Sequence, residues 1–366
     1  MCCPTDVPRQ QHGAALVTTL LIVALITVTV TSMATRQQLS IQRASNRQIQ
    51  SQLHNLASAG EQFAIAVLNR DRRDGQRNNS DSTEDFWAES LPPVPIDGAT
   101  VEGCVIDLQG KFNLNNLVSI EGTTDQLEYE GLQRLLRALS IDTLKAEAIL
   151  DWIDPDIDVT GADGAEDDFY TGQTPAYRAA NGPMVSPTEL LLVKGFRVTD
   201  DGGLDDYDTL LPHISTLPTG TAINVNTASA PVLASLADYM IEVSDELKVV
   251  DDEYWENYPN CPEGGGLLDS VINSESEGTA ESADSQVAEE EFEDDGFIYE
   301  ETQTFISEAQ ISEDQTIADA NIAVSSGYFM SRVTVRRDEI SLTQYTTLFR
   351  DNTGAVTALQ RSRGGL

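Results

Sequence analysis

Basic residues are scarce in this chain. Lys and Arg number 22 against 60 Asp and Glu, a formal net charge of −38 over 366 residues. From Val249 to Ser331 there is no Lys or Arg at all. Phosphate backbones are bound by clustered cations, so nucleic acid is not an expected partner. A surplus of acid suits solubility, divalent cations or basic partners. It suits a merely solvated acidic surface equally well. Histidine is nearly absent, with only His12, His54 and His213. No Gly-rich phosphate loop and no zinc spacing occurs. Nothing selects a Ser–His–Asp set, so no enzyme is expected. Cysteine is rare too. Cys2 and Cys3 precede a long apolar run, and Cys104 and Cys261 follow it. Those last two are the pair available for a bridge if their side of the membrane is oxidising. Two buried thiols fit the sequence equally.

Charge is also missing from residues 14–34, which are mostly apolar. A helix of roughly 20 residues spans a bilayer core. The run is longer than a signal-peptide core, and no clean cleavage pattern follows it. Arg9 lies before it, but Arg36, Arg43 and Arg47 lie after it, so charge does not fix orientation. Between Met33 and Asp71 there is no proline, and Gly60 is the only glycine. Ile49, Leu53, Leu56, Gly60, Phe63 and Val67 recur at steps of four and three, one face of an amphipathic helix. One helix over 14–70 is predicted, on the order of 85 Å long at about 1.5 Å per residue. Its first half suits lipid and its second half suits packing on a globular body.

The polar stretch "RDRRDGQRNNSDSTEDFWAESLPPVP" reads as a loop. Alternation at Val101, Gly103, Val105 and Asp107 predicts a strand. Two more strands are predicted at about 327–337 and 340–350, with a turn at Arg337–Glu339. Three such strands can form a small antiparallel sheet against the long helix. The span between, roughly 112–320, is helical in pattern and too long for a loop. Leu132, Leu135, Leu136 and Leu139 mark one helix, and Leu144, Ala148 and Ile149 another. "SPTELLLVKGF" has a Ser cap and Pro187 in its first turn. Asn224 and Asn226 are read as capping a turn before a helix starting at Thr227. Residues 275–301 hold twelve acids and no base, which predicts a mobile acidic insertion.

The densest chemistry is "DWIDPDIDVTGADGAEDDFY". It offers Asp151, Asp154, Asp156, Asp158, Asp163, Glu166, Asp167 and Asp168. Calcium takes six to eight oxygen ligands, and a glycine-bearing acidic loop can fold around it. The spacing is not that of an EF-hand. A solvated acid-rich loop is the competing reading.

The leader "MCCPTDVPRQQHG", the apolar helix beginning at once after it and the amphipathic continuation resemble type IV pilins and pseudopilins. That resemblance implies cleavage by a prepilin peptidase between Gly13 and Ala14, with methylation of the new N-terminus. Cys2 and Cys3 would leave with the leader. The family usually has glutamate at the fifth mature position, where this chain has Thr18. A carboxylate in lipid is costly unless paired, and a subunit without the partnering neighbour can do without it. Thr18 can also simply bond back to a helix carbonyl. The motifs "DLQGKFNLNNLV", "LLDWID", "DGAEDDFY", "YRAANGPMVSPTELLLVKGF" and "INVNTASAPVLASL" look like the K-type minor pseudopilins of type II secretion, in the family's order. "INVNTASAPVLASL" is also similar to DNA-holding helical hairpins, but the cations are missing.

The K-type resemblance implies an α+β fold: a pilin-like long helix and small antiparallel sheet with a large inserted helical, SAM-like domain. Its divisions are a leader at 1–13, the helix at 14–70 and a body at 71–111 and 321–350. Inserted subdomains are expected at 112–216 and 217–320, and a tail at 351–366. It implies a place at the pseudopilus tip, helping to start assembly and export. Expected partners are the minor pseudopilins I and J, the major pseudopilin and the prepilin peptidase. The chain would cross the inner membrane once, with its C-terminal domain in the periplasm. One or two calcium ions are expected in the helical domain. A type IV pilus minor pilin or tip adhesin is the alternative, and an anchored enzyme the third.

Overall fold

The computed structural model describes residues 12–74, 80–250, 254, 255, 258, 261, 298–309, 317 and 321–363. The chain divides into two compact units, Met1–Asn55 and Leu56–Leu366. The first long helix is α1 (His12–Asp74). Within the first unit its apolar side chains, such as Leu20, Ile22 and Leu25, are exposed. From Leu16 the helix is long and apolar enough to cross a membrane. Its threonines turn their hydroxyls back onto the helix. Thr19 donates to Leu16 O at 2.9 Å, Thr27 to Val23 O at 2.8 Å and Thr31 to Thr27 O at 2.8 Å. That pairing satisfies each hydroxyl within the helix, as a membrane-crossing segment requires.

The strands of the second unit are β1 (Leu91–Ile96), β2 (Ala99–Asp107), β3 (Phe112–Asn113), β4 (Ile214–Ser215), β5 (Ile223–Asn224), β6 (Ile322–Ala323), β7 (Tyr328–Arg337), β8 (Ile340–Arg350) and β9 (Val356–Arg363). Five of them form an antiparallel sheet in the order β1-β2-β7-β8-β9. Beyond Leu56, α1 packs on one face. Ala64, Val67 and Leu68 meet Trp87, Val105, Phe329 and Leu348 in one buried cluster. Full burial of a side chain like Leu68 is worth about 1.5–3 kcal/mol. Gly60 sets the approach: a Cβ there would lie 2.6 Å from Val333 Cγ1. One buried carboxylate ties the helix to the far strands. Glu61 accepts from Gln344 Nε2 at 2.9 Å, Thr346 Oγ1 at 3.0 Å and Arg361 Nε at 2.7 Å.

Two expectations need correction here. The stretch read as a loop closing in prolines ends in a strand, β1. Pro92, Pro93 and Pro95 cannot donate to a ladder, yet an edge strand needs donors on one side only. Residues 351–366 are not a tail, because β9 occupies Val356–Arg363. "VTALQRSR" shows no apolar alternation, being an edge strand with mostly exposed side chains. The Arg361–Glu61 pair fixes its register instead of burial.

The opposite face of the sheet carries Cys104, Ile106, Met330 and Tyr345, clustered with Val250 and Trp255. Cys104 and Cys261 are bridged there. Beneath lies Lys111, fully buried, its Nζ 3.0 Å from the Tyr258 ring centroid and 4.8 Å from that of Trp255. Burial pulls this amine well below its ordinary pKa.

The helical domain is inserted between β2 and β7. Its helices are α2 (Gln126–Ala138), α3 (Lys145–Ile153), α4 (Asp167–Thr171), α5 (Gly203–Leu210), α6 (Ala230–Ala234), α7 (Met240–Leu247) and α8 (Thr302–Ala309). Asp125 caps α2 by accepting from Leu127 N at 3.0 Å and Glu128 N at 3.2 Å. Ser186 and Glu189 form a reciprocal capping box. β3 pairs with β4, and β5 with β6, both in parallel. The expected division into 112–216 and 217–320 does not hold. One continuous core joins Phe112, Leu135 and Tyr170 to Val225, Leu233, Phe305 and Ile317. The two stretches share this one core.

Asn224 does more than cap a turn. Its Nδ2 donates to Asp81 O at 3.0 Å, Asp107 Oδ2 at 3.0 Å and Ser326 Oγ at 2.9 Å. Thr227 donates to Asp107 Oδ2 at 2.6 Å, and the helix starts at Ala230. Asp107 thus joins the body to the insertion. Burial raises its pKa to about 6 against these hydrogen bonds. Most of the acidic insertion, 275–297, lies outside the described residues. At its end Tyr299 is buried in the domain core, its amide donating to Asn226 Oδ1 at 2.9 Å.

Candidate metal centre

The acidic loop hangs between α3 and α4. Pro155 ends α3, and Asp154 before it takes the extended backbone that a residue preceding proline prefers. The loop then folds on its own carboxylates. Asp158 N donates to Asp156 Oδ1 at 2.8 Å. Thr160 N donates to Asp151 Oδ1 at 3.0 Å. Gly164 lets the loop close, since a Cβ there would sit 2.3 Å from Asp151 Oδ2 and from Thr160 O. Glu147 holds the turn from α3 by accepting from Asp163 N at 2.6 Å.

This folding gathers three of the eight predicted side chains. Carboxylate oxygens of Asp154, Asp156 and Glu166 lie within 4.8 Å of one another. Asp154 and Glu166 are buried, and Asp156 is exposed. Asp154 Oδ1 and both Glu166 carboxylate oxygens are buried without a hydrogen-bond partner. Burial, then the charges of Asp156 and Asp151, pushes Asp154 up to about 6. Burial, then Asp151 and Asp154, pushes Glu166 to about 7. Asp151, fully buried beside them, is raised by burial as well.

The other predicted ligands go elsewhere. Asp163 pairs with Lys194 at 3.2 Å. Asp167 pairs with Arg178 at 3.3 Å and accepts from Ala179 N at 3.1 Å. Asp168 is exposed in the first turn of α4, and Asp158 is exposed on the loop. Sequence reasoning passed over Asn181. Its Nδ2 donates to Asp156 O at 2.8 Å, and its Oδ1 is buried without a partner. A positive φ of 45° holds it there. The chemistry of the cluster is that of a hard cation site: oxygen donors of high charge on a loop that can adjust.

In the first unit, Gly13 and Ala14 fall at the start of α1, and Thr18 is the fifth residue of the apolar stretch that begins at Ala14.

The model of a known family, type II secretion system (T2SS) protein K, matches residues 110–219. That span contains the whole acidic loop. The type II secretion system protein K of Pseudomonas aeruginosa is 35% identical over 254 residues, covering 66% of this chain and 72% of that protein. The chain belongs to the type II secretion protein K family. The Aeromonas hydrophila protein K is 32% identical over 234 residues, covering 60% of this chain and 68% of its own. A solved complex, GspK-GspI-GspJ from enterotoxigenic Escherichia coli, shares the fold with a TM-score of 0.61 at 21% identity. That match covers 88% of this chain and 100% of the solved one. As a protein K, the chain is a minor pseudopilin of type II secretion, a structural component of a secretion system. The type IV pilus alternative gains no support from these relatives.

Proposed function

We propose that this protein K caps the pseudopilus tip in complex with the minor pseudopilins I and J, in a structural and not a catalytic role. The observation that carries this reading is the insertion between β2 and β7, which is far larger than the sheet it interrupts. A subunit of that bulk in mid-fibre would obstruct the one above it, while at the tip it obstructs nothing. Thr18 agrees, because a tip subunit has no neighbour ahead whose N-terminus needs a carboxylate. The solved relative was crystallised with its own I and J subunits, which motivates the choice of partners. In this reading a prepilin peptidase cuts after Gly13, the helix after it rests in the inner membrane, and the body lies in the periplasm. The major pseudopilin follows below the tip.

The same proposal includes calcium at Asp154, Asp156 and Glu166, with Asp151 supporting the loop. When bound, calcium supplies the positive charge that the buried oxygens of Asp154 and Glu166 lack. The chain's own part is to hold the loop closed through Thr160, Gly164 and Glu147, so that the insertion keeps one shape. The test is co-purification of the full chain with its I and J subunits from membranes, followed by N-terminal sequencing. A complex whose K subunit starts at Ala14 is expected. A chain starting at Met1, or one that leaves I and J unbound, would sink the reading.

A further inference from the structure

The two edges of the sheet differ. β1 is closed to further pairing by Pro92, Pro93 and Pro95. β9 contains no proline, and among the described residues no strand pairs with its outer edge. Beside β9 opens a cleft of about 380 Å³, between the disulfide-bearing face of the sheet and the stretches 183–187 and 214–218, the second beginning in β4. None of its twenty lining residues is charged. That is unusual in a chain where 22% of residues carry charge. Met184, Tyr258, Met330 and Tyr345 give it apolar walls.

Two details point to a ligand. Ser215 lines the cleft, is buried at 2% exposure, and its Oγ has no hydrogen-bond partner. The second is a bulge. Thr347 pairs with Gln360 but Leu348 pairs with Ala358, leaving Leu359 as an extra residue. Bulges re-aim side chains, and here Leu359 and Gln360 both line the cleft. Leu359 remains 56% exposed.

We propose that the β9 edge and this cleft form a docking surface for an extended, uncharged segment of a partner protein. The segment adds as a sixth strand beside β9 and sets alternate apolar side chains into the cleft. Backbone hydrogen bonds along the edge serve any peptide, and the cleft does the selecting. A charged side chain entering it would lose water and find no counter-charge. A second copy of the chain is a poor occupant, because two bodies of net charge −38 repel. The proposal stands whether or not the loop at 154–166 takes calcium.

The test uses the full chain in detergent micelles and a capped eight-residue peptide of alternating leucine and threonine, read by fluorescence anisotropy and hydrogen exchange. Saturable binding with slowed exchange across Val356–Arg363 is expected. Aspartate in place of the peptide leucines should weaken binding at least tenfold, as should N-methylation of alternate amides. Leu359→Arg should weaken it tenfold and Ser215→Ala about threefold, with melting temperatures unchanged. Gln360→Lys replaces Leu359→Arg if that variant melts early. No saturable binding, equal binding of the N-methylated peptide, or unchanged exchange at β9 overturns the proposal. So does a concentration-dependent dimer in sedimentation that protects the same edge, since the occupant would then be a second copy.

Discussion

The pilin-like body and the acidic loop bury the same chemical group and treat it in opposite ways. In the body, Asp81 is buried against the Arg350 guanidinium, and Ser326 N donates to it at 2.7 Å. Glu61 has Arg361, Gln344 and Thr346. Asp107 has two hydroxyls, an amide side chain and a backbone amide. In the loop, Asp154 and Glu166 are buried with oxygens that have no partner. These three body carboxylates find their partners within the chain. The loop is built as though its counter-group came from solution. A buried charge left alone costs several kcal/mol, so the contrast divides carboxylates with partners in the chain from carboxylates that the calcium proposal supplies with one.

The largest expected effect breaks the body's side of this contrast. Asp81→Ala strands the buried Arg350, leaving it Asp71 at 3.2 Å. Unfolding in urea should show a loss of about 3–5 kcal/mol. Calcium should make no difference to that loss. A change below about 1 kcal/mol would mean that the pair is not buried in solution.

The second effect is a pH dependence of the body. Asp107 has its folded pKa raised from 3.8 to about 6. A raised carboxyl binds its proton more tightly when folded. Its contribution is therefore full below about pH 4 and is lost as pH rises through about 6. The slope is at most about 1.4 kcal/mol per pH unit. Glu61 runs the other way, because Arg361 lowers its pKa. Its contribution is present above its unfolded value and is lost as pH falls. Denaturant titrations of Asp107→Asn should lose the falling limb between pH 4 and 6. An unchanged profile would remove Asp107 as its source.

The smallest effect sharpens the loop's side. With calcium chelated, Asp154→Asn should raise stability by about 1 kcal/mol or less, by relieving like-charge repulsion. With calcium present the same change should lower it. Equal effects in both conditions would mean that the loop is self-sufficient after all.

How far the sequence carried each region follows the same division. The helix and the strands β2, β7 and β8 were legible because burial imposes a period on them. β1 hid behind its prolines and β9 behind its polar side chains, since an edge strand needs neither donors on both sides nor an apolar face. The shared core of the insertion hid for another reason. Nothing local says that Phe112 will meet Ile317. In the loop, carboxylate density was visible at once, but not which carboxylates converge. Lys194, well beyond the loop, removes Asp163 from the set, and Arg178, just past α4, removes Asp167. Asn181 gave one faint signal, as an Asn before a Gly, where positive φ is common.

The most direct test of the central claim, that the loop takes its partner from solution, is calorimetric titration of calcium into the chelated full-length protein. One or two ions per chain should bind, with binding lost in Asp154→Ala and in Glu166→Ala and kept in Asp168→Ala. At a hundredfold excess over Kd the protein should gain about 2.7 kcal/mol. No binding heat, together with no metal in the protein as purified, would contradict the account.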